Sequence, residues 1–272
     1  MASGRLEPAN ELSLRVSVAT LVRVLFDHPQ NGAPMLALER KATLTDEPGG
    51  QRVYVRAQPF GGGIRLRDPA PLRNLIGDFQ FDSERSRAED DFRILIRAAD
   101  WPAVRQFCLE HLAGADDPAL DADPARELSE EFADALAVDL QPGQYQARPV
   151  GLVVADGPAP THNPRAPGAA TARIYRIFEA RLLDPALAQA LLASSARVSD
   201  EDLRQQALAE ARAGGRGRAN AALVLPLNDL AAAYLALRPE VRAAPLAFDG
   251  HLLDGNVPAV LDGVPVPEFE FR

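Results

Sequence analysis

Cysteine and long apolar segments are nearly missing from this chain. Cys108 is the single cysteine, so no intramolecular disulfide can form, and this composition fits a reducing compartment. No uncharged apolar run approaches the roughly 18–20 residues that a membrane helix needs. The first residues, MASGRLEPANELSLRV, lack the apolar core and cleavage site of a signal peptide. The sequence therefore predicts a cytoplasmic protein that does not insert into a membrane.

Positive charge is also scarce. Lys and Arg total 29 against 38 Asp and Glu, which gives a formal net charge of −9. Proteins that bind nucleic acid polymers usually present a basic face, so this balance argues against that class of partner. The P-loop, G-x-S-x-G and CxxC motifs are absent, and His28, His111 and His251 lack metal-ligand spacing. A small molecule is the expected partner, and an acidic protein that handles phosphates would recruit a cation.

Hydrophobic periodicity and turn residues predict a chain of strands and helices. An Asn31-Gly32 turn in residues 27–33 predicts a hairpin, and residues 45–50 (TDEPGG) predict a loop. Little regular structure is predictable after Ala243. Strands are predicted at residues 12–26, 35–40, 53–59, 146–154, 172–183 and 223–227. Helices are predicted at about 100–112, 124–138, 229–237 and, as a pair capped at Ser199, 185–212.

Acidic residues are concentrated on the helix predicted from Pro124. Glu127, Glu130 and Glu131 have i, i+3 and i+4 spacing, which predicts that all three face one way. The opposite side carries an apolar stripe of Leu128, Phe132, Ala135 and Leu136. Mg²⁺ prefers carboxylate, water and phosphate oxygens, so such a row of acids can hold it. The alternative is an ordinary solvated helix face.

The segment from Arg126 to Glu131, with the sequence RELSEE, resembles the second half of the Nudix box. The segment from Gln58 to Asp68, with the sequence QPFGGGIRLRD, resembles the first half, in which a Gly-Gly turn leads to an acid. With Gly62 as the motif glycine, Asp68 takes the position of that acid. The order of strands around both segments is also similar to that of the Nudix hydrolase superfamily, over roughly Leu12 to Leu237.

Three departures from the family pattern stand out. A stretch of 57 residues separates Asp68 from Arg126, where the family has a short spacer. Phe60 stands where the family usually has Pro, and Ala133 replaces the final Gly of the box. An insertion within the motif costs little loop-closure entropy if it leaves and re-enters before the helix.

The resemblance implies an α+β fold, a Nudix-like α/β/α sandwich with a mixed β-sheet. The domain would span 1–240, with an insertion at about 69–122 that packs locally and an extra helical segment at about 185–215. Residues 241–272 would form a C-terminal extension. Two long strands would follow the acidic helix.

The resemblance also implies a function. The protein would hydrolyse a nucleoside diphosphate linked to another group, by water attack at phosphorus. Mg²⁺ or Mn²⁺ would be held by Glu127, Glu130 and Glu131, and Glu130 or Glu131 would orient or deprotonate the water. Arg126 would support a glutamate, and the backbone of Gly61, Gly62 and Gly63 would fit against the helix start. A homodimer is the default assembly of such enzymes.

Two loops carry further candidate residues. His162 and Arg165 lie between two predicted strands, where they would face a substrate or simply be exposed. Arg216 and Arg218 lie in GGRGR at 214–218, which predicts either a phosphate-binding loop or a flexible basic linker. Two rival functions remain open: a catalytically inactive Nudix-fold protein that binds a nucleotide-like ligand or a partner protein, and an α+β interaction module with a solvated acidic helix.

Overall fold

Alternation of apolar residues along the chain favours long strands. The computed structural model describes residues 12–47, 49–114, 117–160, 169–235, 246–262 and 264. The strands are β1 (Leu14–Asp27), β2 (Pro34–Glu47), β3 (Gly50–Gln58), β4 (Phe60–Gly63), β5 (Arg65–Leu66), β6 (Gln80–Phe81), β7 (Arg93–Ile96), β8 (Leu120–Asp121), β9 (Tyr145–Pro160), β10 (Ala170–Leu182), β11 (Arg218–Pro226), β12 (Leu246–Phe248) and β13 (His251–Leu253). The helices are α1 (Ala70–Ile76), α2 (Glu84–Ala88), α3 (Trp101–His111), α4 (Pro124–Leu136), α5 (Pro185–Arg197), α6 (Asp200–Arg212), α7 (Leu227–Leu235) and α8 (Val257–Leu261). The fold class is α+β, as the sequence predicts.

The chain divides into two units. The first unit consists of Met1–Thr20, Gly62–Asp123 and Gly151–Arg176, and the second of Leu21–Gly61, Pro124–Val150 and Ile177–Arg272. The segment 69–122 lies within the first unit, and the helical segment 185–215 lies within the second. None of the helices in the described ranges is long and apolar enough to cross a membrane.

The second unit contains a mixed sheet. β2 pairs antiparallel with the end of β1, with β3 and with β11, while β13 pairs parallel with β3. Alternate residues of β2 enter different cores, because successive strand side chains point to opposite faces. Met35 and Ala37 pack in one core with Leu128 and Phe132 of α4. Leu36 and Leu38 pack on the other face in a core with residues of α7.

The first unit has a core of its own. Antiparallel pairing joins β1 to β7 through Leu14↔Ile96, and β7 to β6. Helices α1 and α3 bury Leu72 and Phe107 against apolar residues of β1, β7 and β10. The predicted apolar face of α3 is confirmed, since Val104, Phe107, Cys108 and Leu112 are all buried. Residues 69–122 therefore share one core with the strands that flank them.

Several local predictions were wrong. The predicted loop at 45–50 is mostly strand, because β2 continues to Glu47 and pairs it with Gly50 at the start of β3. Gly49 and Gly50 both have φ of 121°, which favours glycine and lets the turn be tight. The region after Ala243 contains β12, β13 and α8, three elements too short to show a clear period in the sequence.

Candidate functional site

Helix α4 carries the acidic residues singled out by the sequence. Pro124 occupies its first position, where the missing N–H costs nothing. Leu128, Phe132 and Ala135 are buried and fix the rotation of the helix. The predicted apolar stripe is therefore the one that anchors α4 to the second unit.

The three glutamates do not share one environment. Glu127 is 5% exposed, Glu131 is half-buried, and the Glu130 side chain is 60% exposed. Glu127 and Glu131 are separated by little more than one helical turn, whereas Glu130 lies about 200° around the helix from Phe132. Glu130 is thus the most exposed of the three, although it and Glu127 both contact Arg126.

Arg126 contacts two glutamates that follow it on α4, Glu127 and Glu130. Its guanidinium forms an ion pair with the carboxylate of Glu127, and its Nη1 lies 3.6 Å from Glu130 Oε1. Both contacts agree with the expectation that Arg126 supports a glutamate. The buried Glu127 carboxylate takes the closer contact.

Gly61 joins the glycine-rich turn to α4. Its backbone N–H donates to Glu131 Oε2 at 2.5 Å, and its φ of 138° is one that L-residues rarely adopt. The preceding residue, Phe60, packs its ring 5.0 Å from that of Phe132, between centroids. The glycine-rich segment therefore contacts the second and third helical turns of α4, whereas the resemblance implies contact with the start of this helix.

Glu39 is a residue that sequence reasoning missed. It lies on β2, two residues beyond Ala37, and is 0% exposed. Its Oε2 accepts hydrogen bonds from Lys41 Nζ and Gln58 Nε2, both at 2.9 Å. Its Oε1 is buried and has no hydrogen-bond partner within the described part of the chain. The available signal was alternation, which places Glu39 on the same strand face as buried Met35 and Ala37.

Electrostatics couple Glu39 to Glu131. Burial raises the pKa of Glu131 well above its usual value, and the nearby Glu39 carboxylate raises it further. The Lys41 ammonium and the Gly61 N–H oppose this shift, and Glu127 adds to it. The two carboxylates therefore repel each other, and the Lys41 ammonium is the cation that offsets this repulsion at Glu131.

The described acids do not form a complete metal site. No group of three or more His, Cys, Asp or Glu side chains is arranged to hold a metal ion among the described residues. Glu127 is engaged by Arg126, and Glu130 faces solvent. The unpaired Glu39 Oε1 and the disfavoured charge on Glu131 are nevertheless features that a hard divalent cation would satisfy.

The first unit contains three further residues that the sequence singled out. Asp68, Gly62 and Gly63 belong to the first unit, where Asp68 Oδ1 accepts a hydrogen bond from the Ala70 N–H at 2.9 Å and is exposed. His162 and Arg165 lie outside the described residues. Comparisons with protein-family models, with curated proteins and with solved structures found no match for this chain.

Proposed function

We propose that the protein is a metal-dependent hydrolase of the Nudix type that cleaves a pyrophosphate linkage in a small phosphorylated molecule. The observation that carries this proposal is the pair of buried Glu39 and half-buried Glu131, in which Glu39 Oε1 has no hydrogen-bond partner in the described part of the chain and Glu131 resists ionisation. Such a pair is costly without a cation, because buried carboxylates need charge compensation.

Glu39 and Glu131 would hold the ion, with Glu127 as a third ligand once it exchanges Arg126 for the metal. When bound, Mg²⁺ or Mn²⁺ would polarise the phosphoryl oxygens and favour a reactive water. Glu130 precedes Glu131 on α4, and its solvent-exposed carboxylate suits the role of orienting or deprotonating that water. The Gly61 N–H fixes one oxygen of Glu131 and thereby orients the carboxylate.

A second candidate is a protein of this fold that binds a nucleotide-like ligand without catalysis. It is favoured by the ion pairs Lys41–Glu39 and Arg126–Glu127, which already neutralise two of the acids. The interrupted motif, with 57 residues between Asp68 and Arg126, also supports it.

The two candidates differ in their response to metal. We would measure Mn²⁺ and Mg²⁺ binding by calorimetry and assay release of monophosphates from a panel of nucleoside diphosphate compounds. Glu131→Gln should abolish both metal binding and turnover. Glu201→Gln, on the exposed face of α6, is the matched control and should alter neither. Absence of metal binding and of turnover in the wild-type protein would overturn the hydrolase proposal.

A further inference from the structure

A polar cavity lies within the second unit. Its volume is about 510 Å³, within the range of roughly 300–1,000 Å³ typical of small-molecule sites. Charged or amide side chains form nearly all of its wall. It is lined by Lys41, Asp134, Gln206, Glu210, Arg216, Arg218, Ala219 and Asn220. The lining has no aromatic or large apolar side chain, so the cavity is poorly suited to a nucleobase, which binds best by stacking.

The basic loop of the cavity is held in place. Glu210 on α6 accepts backbone hydrogen bonds from the N–H of Arg216 at 2.8 Å and of Arg218 at 3.0 Å. Gly217 has φ of 65°, and a Cβ there would lie 2.6 Å from Leu44 Cβ. The GGRGR segment therefore forms a turn that contacts α6 and β2.

The charges of the cavity favour an anion. Lys41, Arg216 and Arg218 supply three cations against the two carboxylates of the wall, Asp134 and Glu210, and the Glu210 carboxylate is already engaged by backbone N–H groups. Asn220 Oδ1 is buried without a hydrogen-bond partner among the described residues. It can accept a hydrogen bond from a ligand hydroxyl. Arginine is well matched to phosphate, which it contacts through two parallel N–H groups.

Lys41 connects this cavity to the carboxylates. It lines the cavity while its Nζ donates to Glu39 Oε2, and it is the register partner of Asn220 between β2 and β11. Asp134, on the wall, lies on α4 one turn beyond Glu130 and Glu131. A ligand in the cavity would therefore be next to the proposed metal.

We propose that this cavity binds a phosphate group carried by a hydroxylated compound, such as a phosphorylated sugar or polyol, and that Arg216 and Arg218 determine this preference. The inference rests on the proposed function in one respect: the ligand would be the part of the substrate beyond the cleaved pyrophosphate. Binding of the phosphorylated group itself needs no metal.

The test uses the full chain in the presence of EDTA, with ribose 5-phosphate as the probe in calorimetry. Ribose 5-phosphate should bind, and ribose should bind at least about tenfold more weakly. Arg216→Gln, at an exposed side chain, should weaken ribose 5-phosphate binding about tenfold, and Arg216→Gln/Arg218→Gln should weaken it further. Arg212 is exposed at the end of α6 and does not line the cavity. Arg212→Gln is therefore the matched control and should leave the affinity for ribose 5-phosphate unchanged.

Three results would overturn the assignment: no binding of ribose 5-phosphate, equal binding of ribose, or equal loss in the Arg212→Gln control. Thermal melts of each variant identify any loss that comes from unfolding, and Arg216→Lys should restore part of the affinity if charge is what matters. Ribose 5-phosphate binding that depends on Arg216, without cleavage of any pyrophosphate, would reject the hydrolase and keep the cavity site. Cleavage that is indifferent to Arg216 and Arg218 would reject the cavity site and keep the hydrolase.

Discussion

Burial and the neighbouring Glu39 carboxylate both raise the pKa of Glu131. Both favour the protonated side chain, while a single N–H from Gly61 and the charge of Lys41 favour the ionised one. A group whose pKa is raised in the folded state stabilises the protein fully below its unfolded pKa. That contribution is lost as pH rises through the folded pKa. The residue proposed as a metal ligand is therefore a stability cost at neutral pH when no ion is bound.

Replacing Glu131 with Gln should raise the melting temperature of the metal-free protein at neutral and mildly alkaline pH, because the neutral amide removes the cost of a buried charge. The gain should shrink towards acidic pH, where Glu131 is itself protonated. Thermal melts across this pH range in EDTA measure the difference. Added Mn²⁺ should stabilise only the wild type. A variant that is less stable than wild type at every pH would contradict this account.

Asp82 shows the opposite behaviour in the first unit. Burial alone would raise its pKa, but hydrogen bonds from Ser86 and Arg15 and the charge of Arg15 outweigh burial and hold the pKa below its usual value. The ion pair spans 2.7 Å between Arg15 Nη2 and Asp82 Oδ2, with side chains 4% and 1% exposed. A lowered pKa gives stability above the unfolded pKa that is lost as pH falls through the folded pKa.

Asp82→Asn should destabilise the protein by about 3–5 kcal/mol at neutral pH, because it leaves the Arg15 charge buried and unpaired. The loss should decrease in acid, where wild-type Asp82 becomes protonated. Urea unfolding at several pH values gives the free energies. Glu89→Gln, in the exposed ion pair with Arg85, is a control that should cost under about 1 kcal/mol. A loss independent of pH would show that shape, and not charge, is what Asp82 contributes.

Among the elements, the short strand β4 matters most for the site, because its Gly61 both adopts a glycine-specific φ and donates to Glu131. Gly61→Ala should cost about 1–3 kcal/mol of stability from backbone strain alone. It should also weaken metal binding, since the N–H that fixes Glu131 Oε2 would move. Melting temperature and Mn²⁺ calorimetry test the two effects. Gly114→Ala is a control, since its added Cβ would meet no atom within 4 Å and its φ is ordinary. Equal behaviour of both variants would refute the role of β4.

Long elements were predictable because their periods persist over many residues. The strands β1 and β10 and the helices α3, α4, α5 and α6 begin and end within a few residues of their predictions. Turn geometry was less predictable: TDEPGG and GGRGR both look flexible by composition, yet the first continues the pairing of β2 with β3 and the second is bound by Glu210. Glycine content alone does not reveal that Glu210 holds one of these turns.

The site was predictable only in part. Helical spacing placed Glu127, Glu130 and Glu131 near one another, but it did not show that Glu127 is buried while Glu130 is exposed. Glu39 was missed because a charged residue at the end of an apolar strand looks like an exposed one. Its burial depends on which element covers the strand, and that is tertiary information.

At the scale of the whole molecule, the segment 69–122 is part of a core and not an appendage. Phe92, Ile94, Val104 and Phe107 from this segment pack with Val16 of β1. Replacing 69–122 with a short Gly/Ser linker should therefore leave apolar strand residues uncovered. The product should be insoluble or should lose cooperative unfolding. Solubility and circular dichroism melts test this. A soluble truncated protein with a sharp transition would show that the rest of the chain folds without this segment.

Helix α3 holds both the single tryptophan, Trp101, and the single cysteine, Cys108. The thiol is buried, and burial raises its pKa, so it should react with labelling reagents only when the first unit opens. Tryptophan emission and thiol labelling are thus natural probes of one half of the molecule. The second unit, which holds the proposed site, contains neither tryptophan nor cysteine. A tryptophan or a cysteine introduced there would therefore report on that unit, in a variant that lacks Trp101 or Cys108, without background signal.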